Sequence, residues 1–100
     1  MKKPLILGHR GYSGLYPENT PLAFRKTAEA GADGIETDVH ICKSGELVLC
    51  HDEKVDRTSN GHGEIKDLTY GELLSLDFGA WKDPAFAGER IWTLGELLDF

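Results

Sequence analysis

Long apolar runs are missing from this 100-residue chain. Nothing in it approaches the roughly 18 consecutive apolar residues that a membrane-spanning helix requires. Cysteine is scarce as well. Two in a chain of this size cannot make a disulfide framework, so a small cross-linked secreted fold is excluded. Basic residues are in deficit, with 11 Lys and Arg against 17 Asp and Glu and a net charge of -6, which argues against a broad nucleic-acid-binding face. The opening MKKPLILGHR carries only Leu5, Ile6 and Leu7 before polar residues resume. A signal-peptide core needs about 7–15 apolar residues, so the cytoplasm is the expected compartment. The remaining composition, 40% hydrophobic and 28% charged, is that of a folded globular chain.

The most informative stretch is Gly34 to Asp52, GIETDVHICKSGELVLCHD. Ile35, Thr37, Val39 and Ile41 alternate with Glu36, Asp38 and His40, the period of a strand with two unlike faces. Carboxylates inside a strand are disfavoured by propensity and by burial, so Glu36 and Asp38 call for a function. Their hard oxygens suit Mg²⁺, Ca²⁺ or Mn²⁺. Standing alone, a Glu-x-Asp spacing is more often the wet face of a half-exposed strand.

Upstream, Leu5-Ile6-Leu7 reads as a short buried strand that ends at Gly8 and delivers His9 and Arg10. A loop over 12–19 leads to Thr20-Pro21, a hydroxyl cap followed by proline at the first helical position. The helix is expected to run to about Ala30, with Ala23, Phe24, Thr27, Ala28 and Ala30 on its apolar side and Gly31 as its stop. Strand, helix and strand in that order predict parallel neighbours in an α/β fold. Sites in such sheets form at the C-terminal strand ends, so His9 should meet Glu36 and Asp38 at one mouth.

Too few residues separate Ile41 from Leu47 for a parallel crossover, which predicts a hairpin. With Ser44-Gly45 as a two-residue loop, Asp38 would sit opposite His51, and Cys42 and Cys50 would point to opposite faces, unable to form a disulfide. Glu53 to Gly63 reads as loop. Thr69-Tyr70-Gly71-Glu72 and Thr93-Leu94-Gly95-Glu96 are capping boxes that open short helices. The second of these begins an apolar helix at the chain's end, as the front part of a longer protein would. Phe78, Trp81 and Phe86 are expected anchors of an irregular segment, and residues 53–90 could form a small excursion.

His9 and His51 could exchange protons near neutrality. Arg10 offers a planar donor fork for a phosphate. His40 is placed at the rim of the site and His62 in solvent.

Ordered motifs then resemble a known family. His9-Arg10-Gly11, Pro17-Glu18-Asn19-Thr20, Gly31-Ala32-Asp33, Glu36-Thr37-Asp38-Val39, Lys43-Ser44-Gly45, His51-Asp52, Arg57-Thr58, Asp67-Leu68-Thr69 and Thr93-Leu94 are similar to those of the glycerophosphodiester phosphodiesterases. Cys42 stands in place of a usual threonine, and Trp92 where proline is common. The resemblance implies a TIM barrel of the (β/α)8 type, of which residues 1–100 hold the opening strands and the small insertion at about 53–90. It implies metal-dependent hydrolysis of a small-molecule glycerophosphodiester to sn-glycerol 3-phosphate and an alcohol. His9 and His51 would then be the acid–base pair, Glu36 and Asp38 metal ligands, and Arg10 a phosphate contact. The third carboxylate ligand is expected beyond Phe100. A related lipid or lysophospholipid phosphodiesterase, or a non-catalytic phosphate- or metal-binding relic, are the competing readings.

Overall fold

A computed structural model describes residues 7–11 and 13–100. The expected strand residues Leu5 and Ile6, and Tyr12 of the following loop, lie outside them. The first strand, β1 (Leu7–His9), continues one residue past the expected end and includes His9. It pairs in parallel with β2 (Gly34–Glu36), with His9 opposite Glu36. Between them runs helix α1 (Pro21–Glu29), so the expected βαβ unit is present.

Helix α1 begins where its sequence dictates. Thr20 has extended backbone and its hydroxyl accepts from the Ala23 N–H, while proline occupies the first turn. Ala23, Phe24 and Thr27 are buried; Ala28 and Ala30, expected on the apolar side, are exposed. Gly8 lets β1 lie hard against the helix. A Cβ there would stand 2.9 Å from Thr27 Oγ1 and closer still to Thr27 Cγ2.

The single long strand expected across residues 35–41 is divided. β2 ends at Glu36, and β3 (Val39–Ile41) turns to pair in antiparallel fashion with β4 (Leu47–Leu49). Residues Thr37 and Asp38 lie between the two sheets.

The hairpin register also differs from expectation. Val39 pairs with Leu49, His40 with Val48 and Ile41 with Leu47. Three residues, Lys43, Ser44 and Gly45, close the turn. Cys42 N–H donates to the Glu46 carbonyl at 3.0 Å, and Gly45, at φ +97°, donates back to Cys42. Glycine as the third, left-handed residue of such a loop is the chemistry of a bulged three-residue hairpin. One extra loop residue shifts the pairing by one. Asp38 consequently faces Cys50, whose N–H reaches its carbonyl at 3.1 Å, and not His51. The same shift puts Cys42 and Cys50 on one face, both buried and both free.

That face carries the main core. Cys42, Val48 and Cys50 from the hairpin pack with Val55, Ile65, Leu73, Phe78 and Ile91. Helices α2 (Tyr70–Leu74) and α3 (Leu94–Asp99) open with complete capping boxes at Thr69 and Thr93, as expected. Residues 53–90 leave the hairpin and return to it, where Thr93 bridges Val48 and the Trp92 carbonyl accepts from Leu49. Phe78 is buried and Phe86 half-buried against Tyr16, but Trp81 is exposed, with Arg57 and Lys82 over its ring.

Candidate active site

His9 and Glu36 end the two parallel strands side by side, and their side chains meet, with Nε2 3.1 Å from Oε2. This is the His9–Glu36 part of the convergence the βαβ argument requires. Asp38 follows two residues later, after the strand has broken. Its Oδ2 is buried and has no hydrogen-bond partner among the described residues. A carboxylate oxygen withdrawn from water without a donor is costly, and a cation beside it would remove that cost.

Arg10 sits in a turn closed by the Gly11 N–H on the Gly8 carbonyl, with φ at +53°. A left-handed backbone on a bulky residue is strained and persists only where its surroundings impose it. Here they do. The Arg10 N–H donates to the Glu36 carbonyl at 2.6 Å, and the Arg10 carbonyl accepts from Asn19 at 2.8 Å. The guanidinium lies 3.3 Å from Glu18. Asn19 is left-handed too, and its Oδ1 accepts from the Thr37 hydroxyl at 2.6 Å, tying this loop to the residue between Glu36 and Asp38.

His51 does not contact Asp38 as the two-residue loop would require. Its Nδ1 lies 2.9 Å from Asp52 Oδ1. Arg57 grips the same carboxylate at both oxygens, Nε to Oδ2 and Nη2 to Oδ1, each at 2.9 Å. It also forks onto Glu18 at 2.9 and 3.0 Å. Arg10, Glu18, Arg57, Asp52 and His51 are thus linked through a continuous polar path. Glu18 is its hub, with a side chain 7% exposed. The Arg57 fork, with some help from His51, holds the Asp52 carboxyl down at about 2, against a smaller opposing effect of burial. Asp52 and Glu18 together push the Arg57 guanidinium up. Burial drives the Cys50 thiol in the opposite sense to a reactive one, up to about 11.

Glu18, Asp52 and Arg57 are the residues that reasoning from spacing did not assign to the site. Glu18 and Arg57 are 39 positions apart, and no local periodicity announces such a pair. The available signal was that Glu18, Asp52 and Arg57 all lie within motifs that carry the family resemblance. His40 is half-buried and its Nε2 contacts the His51 carbonyl at 3.2 Å. His62 is 87% exposed and bonded to Asp56, in solvent as expected. Among the described residues no three His, Cys, Asp or Glu side chains gather closely enough to hold a metal ion. No helix among them is long and apolar enough to cross a membrane.

The model of the Glycerophosphoryl diester phosphodiesterase family matches residues 9–100. A glycerophosphodiester phosphodiesterase of Caldanaerobacter subterraneus subsp. tengcongensis is 53% identical over 97 residues, covering 97% of this chain and 40% of that protein. The solved glycerophosphodiester phosphodiesterase of Agrobacterium tumefaciens superposes with a TM-score of 0.94 at 38% identity, covering 97% of this chain and 42% of that one. An Oleispira antarctica phosphodiesterase, solved in complex with the product sn-glycerol-3-phosphate, superposes at 0.92 with 36% identity, over 96% of this chain and 39% of its own. The chain spans about two fifths of the length of the relatives it matches. The fold class is α/β of the TIM-barrel kind, these residues supplying its opening strands.

Proposed function

Because the chain belongs to the glycerophosphoryl diester phosphodiesterase family, we propose that it carries one side of a metal-dependent site that hydrolyses glycerophosphodiesters to sn-glycerol 3-phosphate and an alcohol. The observation that carries the reading is the pairing of His9 with Glu36 at the ends of parallel strands, with Asp38, two residues further on, keeping a buried Oδ2 that has no hydrogen-bond partner among the described residues. Product bound to the Oleispira relative supports the substrate class.

Glu36 and Asp38 would hold the cation, Mg²⁺, Ca²⁺ or Mn²⁺, by hard oxygen ligation. Two carboxylates make an open set, and a third is proposed to complete it. Bound there, the metal supplies positive charge against the phosphoryl oxygens. Arg10 adds a directional contact to the phosphate. His9 takes the proton of the nucleophile, either water or the glycerol 2-hydroxyl, the latter giving a cyclic phosphate that water then opens, and His51 returns a proton to the leaving alkoxide. Residues 53–90 act as an insertion over the mouth that helps choose the alcohol. Support for that comes from their contacts to the first loop, Lys82 with the Ser13 carbonyl and Phe86 with Tyr16. We place the activity in the cytoplasm, where buried, unpaired Cys42 and Cys50 stay reduced.

The test is a coupled assay of the complete gene product containing these residues, on glycerophosphocholine, glycerophosphoethanolamine and a lysophospholipid. Turnover of the soluble diesters should vanish in EDTA and return with a divalent cation, and His51→Ala should lower kcat by roughly 10²–10⁴-fold. Turnover that survives chelation, or near-normal kcat in His51→Ala, contradicts the reading.

A further inference from the structure

Arg57 has more of its hydrogen-bonding capacity committed than any surface role needs. Four of its five N–H bonds are spent on two carboxylates, Asp52 and Glu18, at 2.9–3.0 Å. The face of Trp81 lies 5.8 Å from its guanidinium carbon, so the plane is held from a third direction. Asp52 is the only acceptor recorded for His51 Nδ1 among the described residues, and it uses the same oxygen, Oδ1, that receives Arg57 Nη2.

We propose that Arg57 is a positioning residue for His51. Its fork fixes the Asp52 carboxylate against His51 Nδ1, so that neutral His51 carries its proton on Nδ1 and exchanges protons with substrate through Nε2. The inference rests on the reading in which His51 moves a proton. It assigns the control of that residue to the 53–90 segment, which contributes no other group to the histidine.

The physical case is one of geometry. A carboxylate beside a histidine on the preceding residue has two soft torsions and rotates freely unless something else holds it. Two parallel N–H bonds from a rigid guanidinium remove that freedom, which a lysine, a single flexible point charge, does not. Glu18 in turn fixes Arg57 and is itself almost fully buried, so the restraint is anchored in the loop that also carries Arg10. A phosphate-binding role is disfavoured by the same count, because one N–H of Arg57 is left for a ligand. The charged groups around His51 are Asp52, Arg57 and Glu18, with Arg10 behind Glu18 and His40 against the His51 carbonyl.

The experiment uses the complete gene product and two readouts. Long-range ¹H–¹⁵N spectra of the imidazoles report the His51 tautomer without any turnover. Wild type should show the Nδ1–H form, and Arg57→Lys a mixture of both. In steady-state assays Arg57→Lys should lower kcat by roughly 10–100-fold, the usual effect of removing a partner that orients a reacting group, with KM changed by less than about threefold. A wild-type Nε2–H tautomer overturns the proposal even if every variant misfolds. So does an Arg57→Lys protein with unaltered kcat, or one whose loss is confined to KM, which would make Arg57 a substrate contact. An Nδ1–H tautomer in a wild-type protein that hydrolyses no diester would sink the functional reading and leave the positioning of His51 in place.

Discussion

Arg10 shows how much one residue can be asked to bear. Its φ of +53° suits glycine or asparagine better than arginine. The backbone gains nothing from a long side chain there, so the guanidinium must be what the position is for. Arg10→Asn should relieve strain of about 1 kcal/mol while losing the 3.3 Å contact to Glu18. Its urea midpoint should therefore stay near that of wild type while KM for the diester rises at least about tenfold, as one lost charge-assisted contact implies. A large fall in midpoint with unchanged KM would make Arg10 structural. Asp52 carries a different signature. Its folded-state pKa, about 2, lies below the ordinary aspartate value, so it adds stability above about pH 4 that is lost as pH falls toward 2. The stability gap between wild type and Asp52→Asn should be flat above about pH 5 and close on acidification. A gap that widens instead reverses the sign and refutes the ion-pair origin.

Elements with local instructions were legible, and those with distant ones were not. Thr20-Pro21 and the two Thr-x-x-Glu boxes each act within four residues, and all three cap as written. The parallel pairing of β1 with β2 follows from strand–helix–strand order alone. Register failed because Lys43-Ser44-Gly45 closes as three residues, and the placement of glycine at its end was the clue. The break at Thr37–Asp38 had no local mark, since apolar alternation runs straight across it. Helix α1 holds another distant instruction. Its Leu22 N–H donates to Glu89 Oε1 at 2.9 Å, across 67 positions. A carboxylate at a helix N-terminus satisfies a free donor and faces the positive end of the dipole. Glu89→Ala should cost about 1 kcal/mol, read as a lower urea midpoint with unchanged slope. No loss would show that water replaces the carboxylate fully.

Across the whole molecule, apolar surface is distributed unevenly. One hairpin face is buried in the core, while Val39, Ile41 and Leu47 on the other are 41%, 62% and 41% exposed. Leu98 and Phe100 add exposed apolar surface on and just after α3. In the relatives the matched segment is about two fifths of a chain, so further residues are available to cover such faces. A polypeptide limited to these 100 residues should bind a hydrophobic dye and self-associate, and Ile41→Lys should reduce both. A monomer that binds no dye would contradict this. The polar path through Glu18 has a consequence of another kind, for inheritance. Losing Glu18 alone leaves the Arg10 guanidinium without its carboxylate and Arg57 held by Asp52 only, and losing Arg57 alone leaves both Glu18 and Asp52 without their fork. No single substitution in this set has a neutral neighbour, so positions 18, 52 and 57 should change together among descendants or not at all.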